Sequence, residues 1–105
     1  LEFLGDAVLG LVVAEKLYQD FPHSAEGEMT RLRAALVRGN TLARVARTIK
    51  LGDYLYLGKG EEASGGRRKP ANLAGALEAM IAAIFLDQGS IATSDFIMRL
   101  FNEEL

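Results

Sequence analysis

Three acidic side chains lie in stretches that are otherwise apolar. Between positions 1 and 14 the only ionisable residues are Glu2 and Asp6, and between 72 and 86 the only one is Glu78. Glu2 and Asp6 are four residues apart, so on a helix they share a face about one turn from each other. Buried unpaired carboxylates are costly and repel one another. These acids therefore need protons, cationic partners or a metal ion.

One divalent cation bound by all three carboxylates would satisfy them. A solvated helix face is the alternative, and spacing alone leaves it open. The chain has no cysteine and a single histidine, His23, which excludes thiolate zinc sites and disfavours histidine-based ones. Oxygen ligands favour hard cations such as Mg²⁺ or Mn²⁺. We expect the small residues Gly5 and Gly75 to leave room for a ligand beside the acids.

The bulk composition fits one soluble domain. Of 105 residues, half are apolar and a quarter are charged, and the net charge of −2 argues against a simple electrostatic nucleic-acid binder. An enzyme that brings metal ions to a polyanion is still allowed. Glu2 and Asp6 in the opening apolar stretch argue against a signal peptide or a membrane span, so we expect a cytoplasmic protein.

Apolar periodicity predicts an all-α fold of five to six helices in one domain, residues 1–105. The first helix should run from Leu1 to Phe21, where Pro22 stops it. Ser24 is the predicted N-cap of a second helix that ends at Gly39. Because the sequence begins within a helical pattern, we interpret it as a fragment whose N-terminal part is missing.

The second half of the chain predicts further helices around a glycine-rich loop. Asn40 should cap a third helix that Leu51 and Gly52 close. The stretches 58–60 and 64–66 are predicted to be loop. Pro70 suits the first turn of a fourth helix running to Gly89, and a last helix should follow at 90–101.

The segment 1–9, LEFLGDAVL, resembles the signature of the ribonuclease III family. The similarity continues in order through 26–43, 51–61 and 71–87, so it covers essentially the whole chain. It implies an all-helical endonuclease fold, a homodimer, and Mg²⁺-dependent two-metal hydrolysis of double-stranded RNA in the processing of rRNA and mRNA precursors. Mn²⁺ is expected to substitute for Mg²⁺. Family members often carry a separate double-stranded-RNA-binding domain, and we expect this chain to hold only the catalytic domain.

The resemblance also implies roles for particular acids. Glu2 is similar in position to a metal-ligand glutamate and Asp6 to a catalytic aspartate. Glu78 matches the essential glutamate, both catalytic and metal-binding, and Glu26 matches a further acid of the cleft. By the same resemblance Phe3 packs into the partner subunit, with a place in the ordinary core as the alternative.

A basic triplet offers a second kind of candidate. Arg67, Arg68 and Lys69 follow two glycines in the predicted loop and are candidates for contacts to RNA phosphates, which position a duplex without reading its sequence. A solvated loop is the alternative.

Gly75 departs from the family pattern. The family usually has an aspartate three residues before the essential glutamate, and glycine offers no side-chain oxygen there. Glu2 and Glu78 can still hold a metal whose remaining ligands are water, since Mg²⁺ keeps several waters readily. The alternative is a catalytically weakened relative that acts as a double-stranded-RNA-binding or ribosome-associated scaffold.

Overall fold

The computed structural model describes residues 1–55 and 59–102, and most of these residues lie in helices. Within those ranges there is no β-strand, which confirms the all-α prediction. The described residues form five α-helices and two short 3₁₀ turns: α1 (Glu2–Asp20), α2 (Glu26–Val37), α3 (Gly39–Thr48), a 3₁₀ turn (Leu51–Tyr54), α4 (Lys59–Ala63), a second 3₁₀ turn (Gly66–Arg68) and α5 (Pro70–Leu100).

The predicted helix starts at Ser24 and Asn40 are wrong. The residue before α2 is Ala25 and the residue before α3 is Arg38, and neither makes a side-chain capping hydrogen bond. Arg38 has an extended backbone that separates α2 from α3 without an intervening loop. The first turn of α2 instead carries Glu26 among its acids, where the helix dipole favours negative charge.

The segment 59–69 is more ordered than the glycine-rich sequence predicts. Residues 59–60 begin α4 and Gly66 begins the second 3₁₀ turn, so the predicted loop is wrong at those positions. Ser64 and Gly65 form a turn between the two elements, as predicted. The Asn72 amide donates hydrogen bonds to the Glu61 carboxylate at 2.9 Å and to the Gly66 carbonyl at 3.0 Å. These contacts join the segment to the first turn of α5, and they depend on residues distant in sequence. The part of the predicted loop at position 58 lies outside the described residues.

Helix α5 is bent at the position where the sequence predicts a boundary. Gly89 has φ 87° and ψ −176°, a backbone conformation open to glycine, and the hydrogen-bonded helix resumes directly after it. The buried Thr93 hydroxyl donates to the Gly89 carbonyl at 2.7 Å. The predicted fourth and fifth helices are therefore two arms of one kinked helix.

The core is organised around α5, which packs against α1 on one side and α3 on another, while α2 packs on α1. The largest fully buried apolar side chains come from α1, α3 and α5, or directly follow α5: Leu9, Val13, Leu42, Leu73, Leu77, Ile81, Ile97 and Phe101. Among the described helices α5 alone is long and apolar enough to meet the simple criteria for a membrane span. Its apolar residues, however, make the packing contacts of the core, and its course is broken at Gly89.

Candidate active site

Helices α1 and α5 touch backbone to backbone at Gly5. A Cβ atom on Gly5 would overlap the carbonyl oxygen of Glu78, so no residue other than glycine fits without moving a helix. The expectation that Gly5 leaves room for a ligand is wrong, because the α5 backbone fills that room. Gly5 lies three residues after Glu2 and one before Asp6. The close approach therefore brings both acids to the turn of α5 that carries Glu78.

The three carboxylates act on one another. Burial raises the pKa of Glu78 from 4.5 to about 7, and a hydrogen bond with Asp6 and the charges of Asp6 and Glu2 raise it in the same direction. The hydrogen bond has this sign because it joins a protonated carboxyl to a carboxylate and so favours the neutral form of Glu78. No lysine or arginine contributes to the shift. The cluster therefore holds negative charge that the described part of the chain does not neutralise.

Gly75 gives its space to the Glu2 carboxylate. A Cβ atom on Gly75 would lie 2.6 Å from Oε1 and 3.1 Å from Oε2 of Glu2. The carboxylate of α1 thus stands where a side chain at position 75 would begin, about one turn before Glu78 on α5. The position that lacks its own acid is filled by an acid from the neighbouring helix.

The donor set fits a hard divalent cation. All three side chains offer carboxylate oxygens, the ligands that Mg²⁺ and Mn²⁺ prefer, and positive charge would relieve the repulsion that raises the pKa of Glu78. As the side chains lie, no three Asp, Glu, His or Cys residues in the described ranges converge on a common point. A common ion would therefore require the side chains to rearrange from the positions they occupy here.

Glu26 lies apart from this cluster in the single chain. It lines a cavity of about 300 Å³ between α1 and α2, together with Ala14, Tyr18 and Arg33. Ala14 is eight residues beyond Asp6, which is about 12 Å along the axis of α1. The structure brings Glu2, Asp6 and Glu78 together and leaves Glu26 on another part of the surface.

The basic triplet is divided by its partners. The Arg67 guanidinium donates to the carbonyls of Gly52 at 3.1 Å and Leu55 at 2.6 Å, and it forms an ion pair with Glu62. It therefore fastens the first 3₁₀ turn to the second. The Lys69 ammonium lies 3.0 Å from the Glu61 carboxylate, whereas the Arg68 side chain has no partner among the described residues. The sequence gives no signal for this division, because the three residues are adjacent and chemically alike.

Phe3 is 90% exposed, so its alternative place in the core is wrong. Exposed apolar side chains also occur on α1 at Leu11 and on α5 at Leu86 and Ile91. Between the two helices, beside the kink at Gly89, lies an open groove of about 430 Å³. Its lining is largely apolar and includes Leu4, Val8, Leu11, Phe85 and Ile91.

The fold and site together define a helical domain built around a cluster of carboxylates shared by two long helices. The chain belongs to the ribonuclease-III-like family, whose model matches residues 1–105. It is 61% identical to ribonuclease 3 of Dehalococcoides mccartyi and 54% identical to ribonuclease 3 of Moorella thermoacetica, in each case over the whole chain. It covers 44% and 45% of those two proteins, so it spans less than half the length of these curated relatives.

A solved structure supports the same assignment. The nuclease domain of ribonuclease III from Campylobacter jejuni is 44% identical and superposes with a TM-score of 0.96, over 99% of this chain and 73% of that one. That structure was described for its flexibility in a region involved in dimer formation. The family resemblance found in the sequence is confirmed.

Proposed function

We propose that the chain is the catalytic domain of a Mg²⁺-dependent endoribonuclease that hydrolyses phosphodiester bonds in double-stranded RNA, as in the processing of rRNA and mRNA precursors. The observation that carries the proposal is the cluster of Glu2, Asp6 and Glu78 where α1 meets α5. Burial and, after it, the two neighbouring acids raise the pKa of Glu78 to about 7, and no lysine or arginine opposes this shift. The match to relatives named ribonuclease 3 supports it.

The chemistry assigns a task to each acid. Glu2 and Glu78 would hold Mg²⁺, or Mn²⁺ in its place. A bound ion of this kind supplies a nucleophilic water at neutral pH and neutralises charge on the phosphate. The proton that Glu78 shares with Asp6 must leave before Glu78 can act as a ligand, because carboxylates bind metal in the ionised form. Asp6 then remains beside Glu78 as a carboxylate that can accept a proton from water.

Cleavage of a long RNA duplex tests this function directly. Glu78→Ala removes the carboxyl that both helices converge on, and we expect cutting to fall at least 10³-fold, about 4 kcal/mol of transition-state stabilisation. Glu28→Gln is the matched control, because it removes an exposed acid on α2, and it should cut at the wild-type rate. A wild-type protein that leaves duplex RNA uncut over a range of Mg²⁺ and Mn²⁺ concentrations would refute the proposal.

A homodimer belongs to the proposal. A second copy would cover the apolar groove between α1 and α5 and the exposed Phe3 on the same helix. An aromatic side chain exposed this far is typical of interfaces. Phe3→Ser should shift the sedimentation of the protein towards the monomer while leaving the helical circular dichroism unchanged, because Phe3 makes little contact within its own chain. A dimer of undiminished stability in this variant would refute the role of Phe3.

The alternative of a catalytically weakened scaffold depends on Gly75. The Glu2 carboxylate already stands over Gly75, so the site retains three acids without the usual aspartate. Gly75→Asp would displace the flexible end of Glu2 and add a fourth carboxylate. Calorimetric titration with Mn²⁺ separates the two functions. Wild-type binding comparable to that of the variant favours the enzyme, and binding that appears only in the variant favours the scaffold.

A further inference from the structure

A third concave site lies at the amino-terminal end of α5, and its lining is basic. It encloses about 370 Å³ and is formed by residues from α3, the two 3₁₀ turns and α5: Arg47, Lys50, Gly52, Asp53, Arg67, Arg68 and Leu73. We call it the basic pocket. Of the residues that the structure describes, four cations and one acid line it, in a chain whose net charge is −2. Positive charge is therefore concentrated here against the average of the sequence.

The cations of the basic pocket differ in what holds them. Arg67 is engaged by the carbonyls of Gly52 and Leu55 and forms part of the wall. For Arg47, Lys50 and Arg68, which are exposed, the described residues provide no side-chain hydrogen bond or ion pair. Among the described lining residues only Asp53 is acidic, and it forms no ion pair with these three cations. The pocket therefore keeps a net positive charge that a bound anion would neutralise.

The backbone at Lys50 supports a specific role for this residue. Its φ of 55° and ψ of 37° lie in the left-handed region, and within the described ranges it is the only non-glycine residue with positive φ. The Lys50 amide donates to the Arg47 carbonyl at 3.0 Å, so the turn that ends α3 brings these two cations together. Glycine or asparagine adopts this conformation at lower cost. Residues held against their preference concentrate at functional sites.

We propose that Arg47, Lys50 and Arg68 bind neighbouring backbone phosphates of duplex RNA, as anchoring contacts separate from the carboxylate cluster. The inference rests on the proposed function, which supplies the RNA. An acidic domain that cuts a polyanion needs local positive charge to hold it, and phosphate contacts provide such binding independently of sequence. Leu73 on the pocket wall is five residues before Glu78, about 7.5 Å along α5, so one duplex is long enough to reach both sites.

The salt dependence of RNA binding measures these contacts. The full chain is titrated into a fluorescent long RNA duplex without divalent metal, so that no cutting occurs, between about 50 and 200 mM salt. Arg47→Gln with Lys50→Gln should lower the slope of log K against log salt by about two, and Arg68→Gln by about one. The matched control is Lys16→Gln with Arg99→Gln, which removes two cations elsewhere and should leave the slope unchanged. Equal slopes for the two double variants overturn the proposal, as does a wild type that binds no duplex.

Two further measurements separate the remaining explanations. Lys50→Gly relieves the left-handed backbone, so a lower slope together with an undiminished melting temperature excludes misfolding as the cause. Inorganic phosphate followed by NMR tests the other source of the same chemistry. Phosphate binding that depends on Arg47 and Lys50, combined with an unchanged RNA slope, assigns the pocket to a free phosphate and overturns the RNA contact. If RNA binding depends on the basic pocket but the wild type does not cut the duplex in Mg²⁺, only the proposed function is refuted. If the wild type cuts the duplex but the pocket variants leave the salt slope unchanged, only this inference is refuted.

Discussion

Glu61 and Glu78 are two carboxylates of one small domain with opposite environments. Glu61 accepts a hydrogen bond from the Asn72 amide and one from the Lys69 ammonium, and these contacts hold its pKa below the usual value. Glu78 faces Asp6 and Glu2, and together with burial these acids raise its pKa to about 7. The Glu61 carboxylate is neutralised by partners within the chain. The Glu78 carboxylate has no such partner among the described residues, and a cation from outside the chain would be needed to stabilise its charge.

The two environments have different physical origins. Glu61 contacts the Asn72 amide and the Lys69 ammonium, and these contacts join α4 to the first turn of α5. They therefore stabilise the fold. The Glu78 cluster exists because two helix backbones meet at Gly5 and carry like charges together. Like charges do not stabilise a fold, so their retention indicates a function.

The largest effect is expected from Gly5→Ala, which breaks the cluster by separating its helices. Its Cβ would overlap the Glu78 carbonyl, so α1 and α5 must move apart, and we expect the free energy of unfolding in urea to fall by about 3 kcal/mol. The pKa of Glu78, followed by NMR, should move down towards 4.5. The control is Gly10→Ala on the same helix, where an added Cβ meets nothing within 4 Å. That variant should be neutral or stabilised by up to about 1 kcal/mol, and equal losses for both variants would contradict the close approach.

A smaller effect is expected from Arg67→Met, which tests the region around Glu61, where charged side chains have partners within the chain. It leaves the carbonyls of Gly52 and Leu55 without their donor, and the unfolding free energy should fall by about 2 kcal/mol. Arg68→Met removes a neighbouring exposed arginine and should change stability by less than about 0.5 kcal/mol. If the two variants lost equal stability, Arg67 would not be the residue that fastens the two 3₁₀ turns.

The smallest effect is a change in the pH dependence of stability. Because the pKa of Glu78 is about 7 in the folded protein and 4.5 as a free group, the folded state holds this proton more tightly. Its contribution to stability is therefore complete below pH 4.5 and is lost as the pH rises through 7. The lowered pKa of Glu61 has the opposite sign, and its contribution is lost as the pH falls below 4.5.

Urea denaturation of wild type and Glu78→Gln between pH 4.5 and 8 measures the difference between the two carboxylates. The stability of the variant relative to wild type should increase with pH across this window. Glu61→Gln should show no such increase. A Glu78→Gln variant whose stability parallels wild type at every pH would mean that the three acids do not interact.

The parts of the fold set by local pattern could be predicted from the sequence. The apolar runs of α1 and α5 predicted long helices, and Gly89 predicted the break in the second. The helix starts at Ser24 and Asn40 could not be predicted, because a residue type that favours capping does not ensure that its side chain caps. The order in α4 depends on Asn72, a partner distant in sequence, and local pattern carries no information about it.

The candidate site was predictable in its members and not in its geometry. Glu2, Asp6 and Glu78 stood out because acids in apolar helices are unusual, and the structure brings them together. The roles of Gly5 and Gly75 could not be predicted from the sequence. The space beside a glycine can be filled by a ligand, by a side chain, as at Gly75, or by the backbone of another helix, as at Gly5. The basic pocket was missed because Arg47 and Lys50 are surface cations of ordinary type until the turn at Lys50 places them beside Arg68.

The packing of α1 against α5 also restricts which insertions and deletions α1 can accept during evolution. Phe3 is exposed, Glu2 and Asp6 on either side of it in sequence lie beside α5, and Gly5 admits the backbone of α5. Substitutions at the outward positions leave that arrangement in place. Inserting or deleting one residue rotates the rest of the helix by about 100°, which would turn Asp6 away from Glu78 and drive a side chain into the contact. Related proteins should therefore differ in amino-acid type at the outward positions of α1 but preserve the length of this helix.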